Sequence, residues 1–349
     1  MKALALHLLC FALPITTFAF VATGPHAHGV GWWLLPLGLS VAADLVGPTE
    51  RRQPATPLPD WPFDALLYAL AALQFLNVVL AARLIGQTGF FDWHTLVAVV
   101  LVGTNSGYSG IVVAHELIHR REAHLRLLGR VLMGLVLYEH FSTEHVRGHH
   151  VRVGTPEDPA TARFGESFRA FFRRTVPGQF RSAWRLEAKR LGDEHMPWWD
   201  PRLLRSRVVH GLVAEWAFAF GLAATFGWSA FAFHLLQASW AVRLLECVNY
   251  FEHWGLSRRG KRVDPVDSWD TDSWFTLYTL VGLSRHADHH AYATRPYPKL
   301  RHYESSPKLP RGYFGMVPLA LASNRRFRRL MTDELRRRGL GPFASEAAS

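Results

Sequence analysis

The chain has 349 residues, of which 49% are hydrophobic and 13% aromatic, while only 19% are charged. Soluble proteins usually carry about a quarter of charged residues, so this composition favours a membrane protein with a polar part. The chain has two cysteines, Cys10 and Cys247, and both lie in apolar stretches. This number and placement exclude a disulfide framework and any iron–sulfur or rubredoxin-type site held by cysteines of this chain. Electrons for redox chemistry would therefore have to come from another protein.

The net charge of +11 is unevenly distributed along the sequence. Only five of the 39 Lys and Arg residues lie outside residues 115–207 and 254–349. A strongly basic chain often binds nucleic acid, but basic stretches that alternate with apolar ones are more typical of contact with anionic lipid headgroups or an acidic protein. The distribution therefore favours these partners and argues against nucleic acid.

Six apolar stretches predict an all-α membrane protein with six transmembrane helices. They cover residues 3–23, 30–47, 63–85, 92–114, 208–227 and 229–250. At 1.5 Å per residue, stretches of about 20 residues cross roughly 30 Å of hydrocarbon. The first stretch follows Lys2 and also resembles a signal peptide, but its length and the spans that follow favour a membrane helix.

The predicted spans divide the chain into four segments of one functional domain. Residues 1–114 hold four spans, 115–207 form a first polar block, 208–250 hold two spans, and 251–349 form a second polar block with a basic tail. The apolar piece 125–138 is too short to span, and the helical segment 325–338 is expected to lie against headgroups. The link at 47–62 is a loop with prolines at 48, 54, 57 and 59.

The links at 24–29, 86–91 and 227–228 carry no Lys or Arg, whereas the polar blocks are basic. The positive-inside rule then places both termini and both polar blocks in the cytoplasm. Polar residues inside the last two predicted spans are Glu215, His234, Arg243 and Glu246. Two interpretations stay open for them: pairing with each other or with water, or a place near a functional site.

Histidines are concentrated in four clusters that all fall just beyond predicted spans, on the cytoplasmic side. The clusters contribute nine histidines: His115 and His119; His145, His149 and His150; His253; and His286, His289 and His290. Two histidines four residues apart share one face of a helix and can hold a metal. Taken alone, the first cluster also matches the His-Glu-x-x-His pattern of zinc peptidases, with Glu116 as general base.

Nine imidazoles exceed what one zinc ion needs, because structural zinc sites close at four ligands. They could saturate two redox metals at four or five nitrogens each. Metal-bound histidines usually donate their second N–H to a carboxylate or carbonyl. The carboxylates expected to orient the ligands in this way are Glu116, Glu144, Asp158, Glu252 and Asp288.

Four sequence boxes resemble the signatures of the integral-membrane alkane hydroxylases, the alkane 1-monooxygenases. The boxes are residues 115–120 (HELIHR), 144–150 (EHVRGHH), 249–256 (NYFEHWGL) and 285–291 (RHADHHA), supported by 155–160 (TPEDPA) and 293–302 (ATRPYPKLRH). The similarity extends to the hydroxylase subunit of xylene monooxygenase. The box at 249–256 separates this group from ordinary membrane desaturases.

This resemblance implies six transmembrane helices in a bacterial inner membrane and a nonheme diiron centre held by the nine clustered histidines. It implies hydroxylation of the terminal methyl group of a medium- or long-chain n-alkane, with O₂ as co-substrate. Electrons would come from NAD(P)H through a reductase and a rubredoxin or ferredoxin. An acidic rubredoxin would suit the basic cytoplasmic face. No separate acid or base residue is implied, because the metal centre itself carries the chemistry.

Four other functions stay open at this point. The same kind of centre serves methyl hydroxylation of alkyl-aromatics, as in xylene monooxygenase, and fatty-acyl desaturation or hydroxylation. An intramembrane zinc peptidase built on His115, Glu116 and His119 would leave most of the clustered histidines unexplained. A non-catalytic metal-binding or transport protein is the fourth alternative.

Overall fold

The structure is a computed structural model that describes residues 2–54, 59–258 and 260–344. Pro57 of the predicted loop, basic residue Arg259 and the last five residues of the predicted C-terminal block lie outside the described ranges. Within these ranges every regular element is a helix, and only isolated bridges occur in place of strands. The predicted all-α class is confirmed for the described part of the chain.

The main helices are numbered α1 to α12 in chain order. They are α1 Ala3–Thr23, α2 Val30–Val46, α3 Trp61–Thr88, α4 Trp93–Ile118, α5 Ala123–Gly134, α6 at 141–152, α7 Phe168–Arg190, α8 Arg207–Phe226, α9 Trp228–His253, α10 His286–Ala291, α11 Tyr313–Ala322 and α12 Asn324–Arg338. Shorter helical turns are Pro201–Arg205, Pro265–Asp267, Trp274–Thr279, Tyr297–Lys299 and Gly341–Phe343.

Four helices in the described ranges, α1, α3, α4 and α8, are long and apolar enough to cross a membrane. They coincide with four of the six predicted spans and support a membrane protein. Helix α2 is a shorter apolar helix that begins with a 3-10 turn, Val30–Leu34. Helix α9 has 26 residues, but Arg243 and Glu246 make its sequence less apolar than that of the four spans. The count of six spans stays a prediction.

The chain forms two compact units. Unit 1 contains residues 1–40, 59–143 and 183–244, and unit 2 contains 41–58, 144–182 and 245–349. Each unit draws on three separate parts of the sequence. Long-range contacts therefore hold each unit together.

The core of unit 1 is built from apolar side chains of α1, α3, α4 and α9. Phe20, Val78, Leu101 and Phe233 are representative members, and all four are buried. Helices α3 and α8 approach closely at Gly86, where an added Cβ atom would lie 2.5 Å from the carbonyl oxygen of Phe226. Small residues allow such close approach of helices in membrane proteins.

A ladder of buried polar side chains links α3, α4 and α9 within unit 1. Gln74 donates to Ser106 at 2.7 Å and accepts from Asn105 at 2.7 Å, while Ser106 donates to Gln237 at 2.9 Å. Gln237 also donates to the carbonyl oxygen of Leu135 at 3.1 Å. Interhelical hydrogen bonds of this kind fix the register of membrane helices.

The polar residues inside the last two predicted spans mostly find partners in the protein. Glu215 accepts from the backbone N–H of Glu139 at 3.2 Å, and His234 lies 3.3 Å from the side chain of Gln237. Glu246 accepts from Gln179 at 2.8 Å. The first interpretation predicted that these residues pair with each other or with water, and the contacts show pairing with other polar residues of the protein instead.

The core of unit 2 is aromatic. Tyr250, Trp254 and Phe327 are fully buried, and the ring centroid of Phe327 lies 5.0 Å from that of Tyr250 and 5.9 Å from that of Trp254. Phe327 belongs to α12, which buries one apolar face and exposes arginines on the other. The predicted basic helical segment thus exists as an amphipathic helix.

Two helices contain π-helical turns, in which each hydrogen bond spans one more residue than in an α-helix. The first turn, Ser106–Ile111, lies within α4 just before His115, and the second, His145–His149, lies within α6. Such turns are frequent at functional sites. Both precede or contain histidines of the predicted clusters.

Candidate metal centre

Seven of the nine predicted ligands belong to unit 2, where three helices bring them together. His145, His149 and His150 lie on α6, His253 is the last residue of α9, and α10 carries the other three, His286, His289 and His290. Their burial is nearly complete, with His150 the most exposed of the set. These histidines lie between positions 145 and 290 of the sequence, and the fold of unit 2 brings them together.

The π-turn in α6 explains how His145 and His150 meet. At about 100° per residue, side chains five residues apart point about 140° away from each other on an α-helix. A π-helical turn brings residues i and i+5 together instead. The Nε2 atoms of His145 and His150 are 3.0 Å apart, and the Nε2 atom of His289 lies 3.1 Å from that of His150.

Asp158 orients His149. Its carboxylate lies 2.8 Å from His149 Nδ1 and also accepts from the Thr161 hydroxyl at 2.6 Å and the Ala160 N–H at 3.1 Å. Burial would raise the pKa of Asp158, but the His149 ring and these hydrogen bonds outweigh it and lower the pKa. The ionised carboxylate holds the proton on Nδ1, so His149 presents Nε2 as a ligand atom.

Glu252 occupies a similar position beside His286. One carboxylate oxygen accepts from the Tyr313 hydroxyl at 2.5 Å, and the other lies 3.2 Å from His286 Nε2. His253, the next residue, has its Nε2 3.2 Å from the same His286 nitrogen. The arrangement places Glu252 within reach of a metal or of a metal-bound imidazole.

Helix α10 is anchored by two buried carboxylates. Asp288 pairs with Arg295 and accepts from the backbone N–H of Arg301 at 2.9 Å. Asp270 accepts from the backbone N–H of Ala287 at 2.7 Å, and burial raises its pKa to about 6. These contacts fix both the rotation and the position of the helix that presents three histidines.

The donor atoms of unit 2 fit a metal centre. Three sets have one ligand atom from each member within 4.8 Å of the others: His145, His150 and His289; His149, His253 and His290; and Glu252, His253 and His286. Ligands at right angles around a metal, with bonds of about 2.1 Å, lie about 3.0 Å apart. The Nε2–Nε2 distances of 3.0, 3.1 and 3.2 Å match this spacing.

His290 gives an independent indication of a metal. It is buried, and neither ring nitrogen has a hydrogen-bond partner among the described residues. Burial and the neighbouring imidazoles lower its pKa well below 6.5, so the ring is neutral and can donate a lone pair. Buried polar atoms without partners are costly, and a metal ion would remove that cost.

His115 and His119 belong to unit 1, at the C-terminal end of α4. Their ring centroids are 5.3 Å apart, as expected for residues four apart on one helix face. Glu116, between them, accepts from Arg120 at 2.9 Å, and Arg120 also donates to Asp64 at 2.9 Å. This ion-pair network stabilises the end of the helix and engages the carboxylate that a peptidase would need as its base.

Glu144 contacts arginine rather than histidine. It accepts from Arg152 at 2.9 Å, which also donates to Ser182 at 2.7 Å. Burial raises the pKa of Glu144 to about 7. Among the five predicted supporting carboxylates, Asp158 and Glu252 thus contact imidazoles, whereas Glu116, Glu144 and Asp288 pair with arginines.

Sequence reasoning missed three supporting residues: Tyr313, Asp270 and Arg152. Tyr313 and Asp270 lie in stretches without a histidine, whereas Arg152 follows His150 by two positions. Arg152 therefore had a local signal, as did Asp270, which lies in a mostly polar stretch, 267–273, that follows the 249–256 box. Tyr313 required the three-dimensional fold.

The sequence was also compared with known proteins. The family model of fatty acid desaturases matches residues 91–320. Two curated relatives from Pseudomonas aeruginosa are alkane 1-monooxygenase 1, 38% identical over 90% of this chain and 85% of the relative, and alkane 1-monooxygenase 2, 39% identical over 82% and 78%. The xylene/toluene monooxygenase hydroxylase component XylM of Pseudomonas putida is 24% identical over 61% of this chain and 58% of its own length.

The range 91–320 that matches the family model includes all four histidine boxes. The identities of 38% and 39% extend over most of this chain and most of each alkane 1-monooxygenase. The relation to the xylene/toluene enzyme is distant. These similarities confirm the resemblance first seen in the histidine boxes. The chain therefore matches the fatty acid desaturase family model and belongs to the alkane 1-monooxygenase family.

Proposed function

We propose that this protein hydroxylates the terminal methyl group of a medium- or long-chain n-alkane. The balanced reaction is RCH₃ + O₂ + 2e⁻ + 2H⁺ → RCH₂OH + H₂O. The observation that carries the proposal is the set of seven histidines in unit 2, six of them buried and five of them with Nε2 atoms spaced as metal ligands, in a chain related to alkane 1-monooxygenases.

The metal would be iron, held as two ions by the nine clustered histidines. Imidazole ligands suit iron, and nine nitrogens supply four or five to each ion. The bound irons would supply the reduction of O₂ and the oxidation of the C–H bond. His115 and His119 join this set by their place in the family signature and by their spacing on α4.

The chain's own residues orient the ligands and keep them neutral. Asp158 fixes the tautomer of His149, and Asp288 and Asp270 fix the helix that carries His290. Tyr313 donates to Glu252 and so holds that carboxylate beside His286. Buried, preorganised ligands of this kind need little rearrangement when the metal binds.

The charge distribution supports a cytoplasmic active site in a bacterial inner membrane, with six spans and both termini in the cytoplasm. Nearly all Lys and Arg residues lie in the two blocks that carry the histidines. A basic face favours association with an acidic electron donor, here a rubredoxin or a ferredoxin reduced by an NAD(P)H-dependent reductase.

The metal content of the purified protein tests the proposal. We expect about two iron atoms per chain in the wild type, and loss of iron in His290→Ala. The matched control is His195→Ala, because His195 is exposed and lies outside the clusters. One zinc ion per chain, retained in His290→Ala, would contradict the diiron assignment and revive the zinc peptidase.

The products of the iron-loaded protein identify the substrate class. With octane, reduced donor and O₂ we expect 1-octanol. Conversion of xylene to a benzylic alcohol with no activity on octane would instead favour the alkyl-aromatic alternative, which the distant similarity to XylM supports. An alkene or an in-chain hydroxyacyl lipid would indicate a fatty-acyl desaturase or hydroxylase.

A further inference from the structure

Unit 1 contains a cavity that none of the nine clustered histidines lines. Its volume is about 280 Å³, near the lower end of the range of small-molecule sites. Helices α3, α5 and α8 and the segment after α5 form its walls. Its lining includes Phe75, Ala214 and Phe218 and the polar residues Arg130, Glu139, His210 and Glu215.

The cavity lies on the side of α5 that faces away from α4. Gly129 faces α4, because a Cβ atom there would lie 2.9 Å from the carbonyl oxygen of Ala114 and 2.8 Å from the Ile118 side chain. Leu127 and Val131 line the cavity from the opposite face of the same helix. Helix α5 therefore separates this cavity from the helix that carries His115.

The apolar rim of the cavity faces outward. Leu127 is 62% exposed, Val131 49% and Phe75 45%. Phe75 and Phe218 form an aromatic pair with ring centroids 6.0 Å apart. Since α3 and α8 are both apolar enough to cross a membrane, such a rim opens towards lipid, and the occupant needs an apolar chain.

The other end of the cavity is polar. Arg130 pairs with Glu139, and the Glu139 backbone N–H donates to Glu215 at 3.2 Å. Gly211 allows this arrangement, because a Cβ atom there would overlap the Glu139 carboxylate. Glu139 is only 5% exposed, and its Oε2 atom accepts no hydrogen bond from the described residues.

These polar groups determine which polar head group a bound molecule can have. The carboxylate of a fatty acid would be a third carboxyl group beside Glu139 and Glu215, while Arg130 is already paired, so a fatty acid is disfavoured. A hydroxyl group can donate to Glu139 Oε2. Because burial raises the pKa of Glu139 to about 7, a hydroxyl can also accept from its protonated form near neutral pH.

We propose that this cavity binds a long-chain primary alcohol, with the hydroxyl at Glu139 and the chain between Phe75 and Phe218. The site would take such an amphiphile directly from the membrane. That the occupant is the enzyme's own product rests on the proposed function. The alcohol would then be held away from the metal centre after it forms.

Photocrosslinking tests the site without any turnover. The probe is a 1-dodecanol analogue with a diazirine in its chain, added without electron donor to the protein in lipid nanodiscs. We expect labelled peptides from residues 123–139 and 207–226. Excess 1-dodecanol should suppress the labelling, whereas dodecane and dodecanoate should not. Equal suppression by dodecane would overturn the proposal and indicate a simple apolar crevice.

Two variants on neighbouring positions of α8 sharpen the test. Ala214→Phe fills the cavity and should reduce labelling of these peptides about tenfold, since the chain is excluded. Val213→Phe adds the same ring at a position outside the cavity lining that is 66% exposed, and it should label like the wild type. Unchanged labelling in Ala214→Phe would contradict the assignment.

Glu139→Gln provides a second variant that preserves volume. The loss of one charge-assisted hydrogen bond should weaken competition by 1-dodecanol about fivefold to tenfold. Equal competition in Glu139→Gln and wild type would overturn the assigned position of the hydroxyl. The protein could show this labelling pattern and still lack alkane hydroxylase activity. Such a result would support the alcohol site and contradict only the proposed function.

Discussion

The pairing of His149 with Asp158 shows how a single carboxylate determines which imidazole nitrogen is available. The carboxylate is almost completely buried and takes three hydrogen bonds, one of them at His149 Nδ1. Its position therefore depends on the loop 153–161 and not on solvent. Loop residues that hold a ligand in this way matter as much for metal affinity as the ligand does.

Asp158→Asn should lower metal affinity about 10- to 100-fold, because the amide no longer stabilises the proton on His149 Nδ1. The measurement is the rate of metal loss to a chelator from the purified protein. Glu157→Gln is the matched control, since this neighbouring carboxylate is exposed. Equal rates of loss in the two variants would argue against the orienting role of Asp158.

Glu139 gives a prediction on pH. Burial raises its pKa to about 7, so between about pH 4.5 and pH 7 the folded protein binds this proton more tightly than the unfolded chain. Stability should therefore fall as pH rises through this window, by up to ~3 kcal/mol for this group. The measurement is the midpoint of thermal unfolding in detergent micelles from pH 5 to pH 8.

Glu139→Gln cannot titrate and should show a shallower decline of the unfolding midpoint across the same pH range. Glu122→Gln, at an exposed position just before α5, should keep the wild-type decline. Parallel curves for Glu139→Gln and the wild type would show that Glu139 does not carry the pH dependence.

At the scale of residues, the histidines are easier to recognise in the sequence than the groups that contact them. Histidine is rare enough that four clusters at fixed spacings stand out. A carboxylate that orients a histidine has no such pattern, because any buried Asp or Glu within hydrogen-bond distance of the imidazole can fill this role. Asp158 and Glu252 lie in or beside the sequence boxes, whereas Tyr313 contacts Glu252 only because the fold brings the two residues close.

Helix α4 depends on the close contact that Gly103 makes with α9. An added Cβ atom at Gly103 would lie 2.8 Å from Trp240 Cδ1 and 3.0 Å from the Gln237 carbonyl oxygen. The contact with the Gln237 carbonyl oxygen cannot relax easily, because this oxygen belongs to the backbone of α9. The packing of these two helices therefore requires the smallest side chain at this position.

Gly103→Ala should destabilise the protein by about 1–3 kcal/mol through overpacking. Gly221→Ala, in α8, adds the same methyl group where no atom lies within 4 Å, and the higher helix propensity of Ala should stabilise that helix by up to about 1 kcal/mol. Thermal unfolding in detergent micelles measures both variants. Destabilisation of similar size in the two would mean that helix contact at Gly103 is not the cause.

At the scale of elements, the long apolar stretches predicted where four helices lie but not their local geometry. Spans at 3–23, 63–85, 92–114 and 208–227 correspond to α1, α3, α4 and α8, because a long apolar run has few alternatives in a membrane. The π-turns were not predicted. A change of one residue in the hydrogen-bond pattern leaves no trace in an apolar or histidine-rich sequence.

At the scale of the whole molecule, the positive charge is concentrated in the segments that carry the histidines. On α12 the arginines 325, 326 and 329 are exposed, while Phe327 and Met331 are buried. This amphipathic helix presents its charge outward. Lipid headgroups and an acidic electron donor would both be attracted to such a face.

Donor-dependent alkane hydroxylation should slow several-fold between about 50 mM and 500 mM salt, because screening weakens attraction between exposed charges. Replacing arginines 325, 326 and 329 with Gln should lower the low-salt rate and flatten the salt dependence. Steady-state rates at low donor concentration measure both effects. An unchanged salt dependence in the triple variant would place the donor-binding charge elsewhere on the protein.

The π-turn His145–His149 also constrains how the length of this segment can vary during evolution. In a surface loop, the loss of one residue is usually harmless. In α6, the loss of one residue between His145 and His149 would restore α-helical hydrogen bonding, because a π-turn corresponds to one extra residue in an α-helix. His145 and His150 would then be four residues apart and would still share one helix face. Of the length changes possible in α6, this single deletion is therefore the one expected to be tolerated, and a related chain with a one-residue gap there would keep the two histidines together.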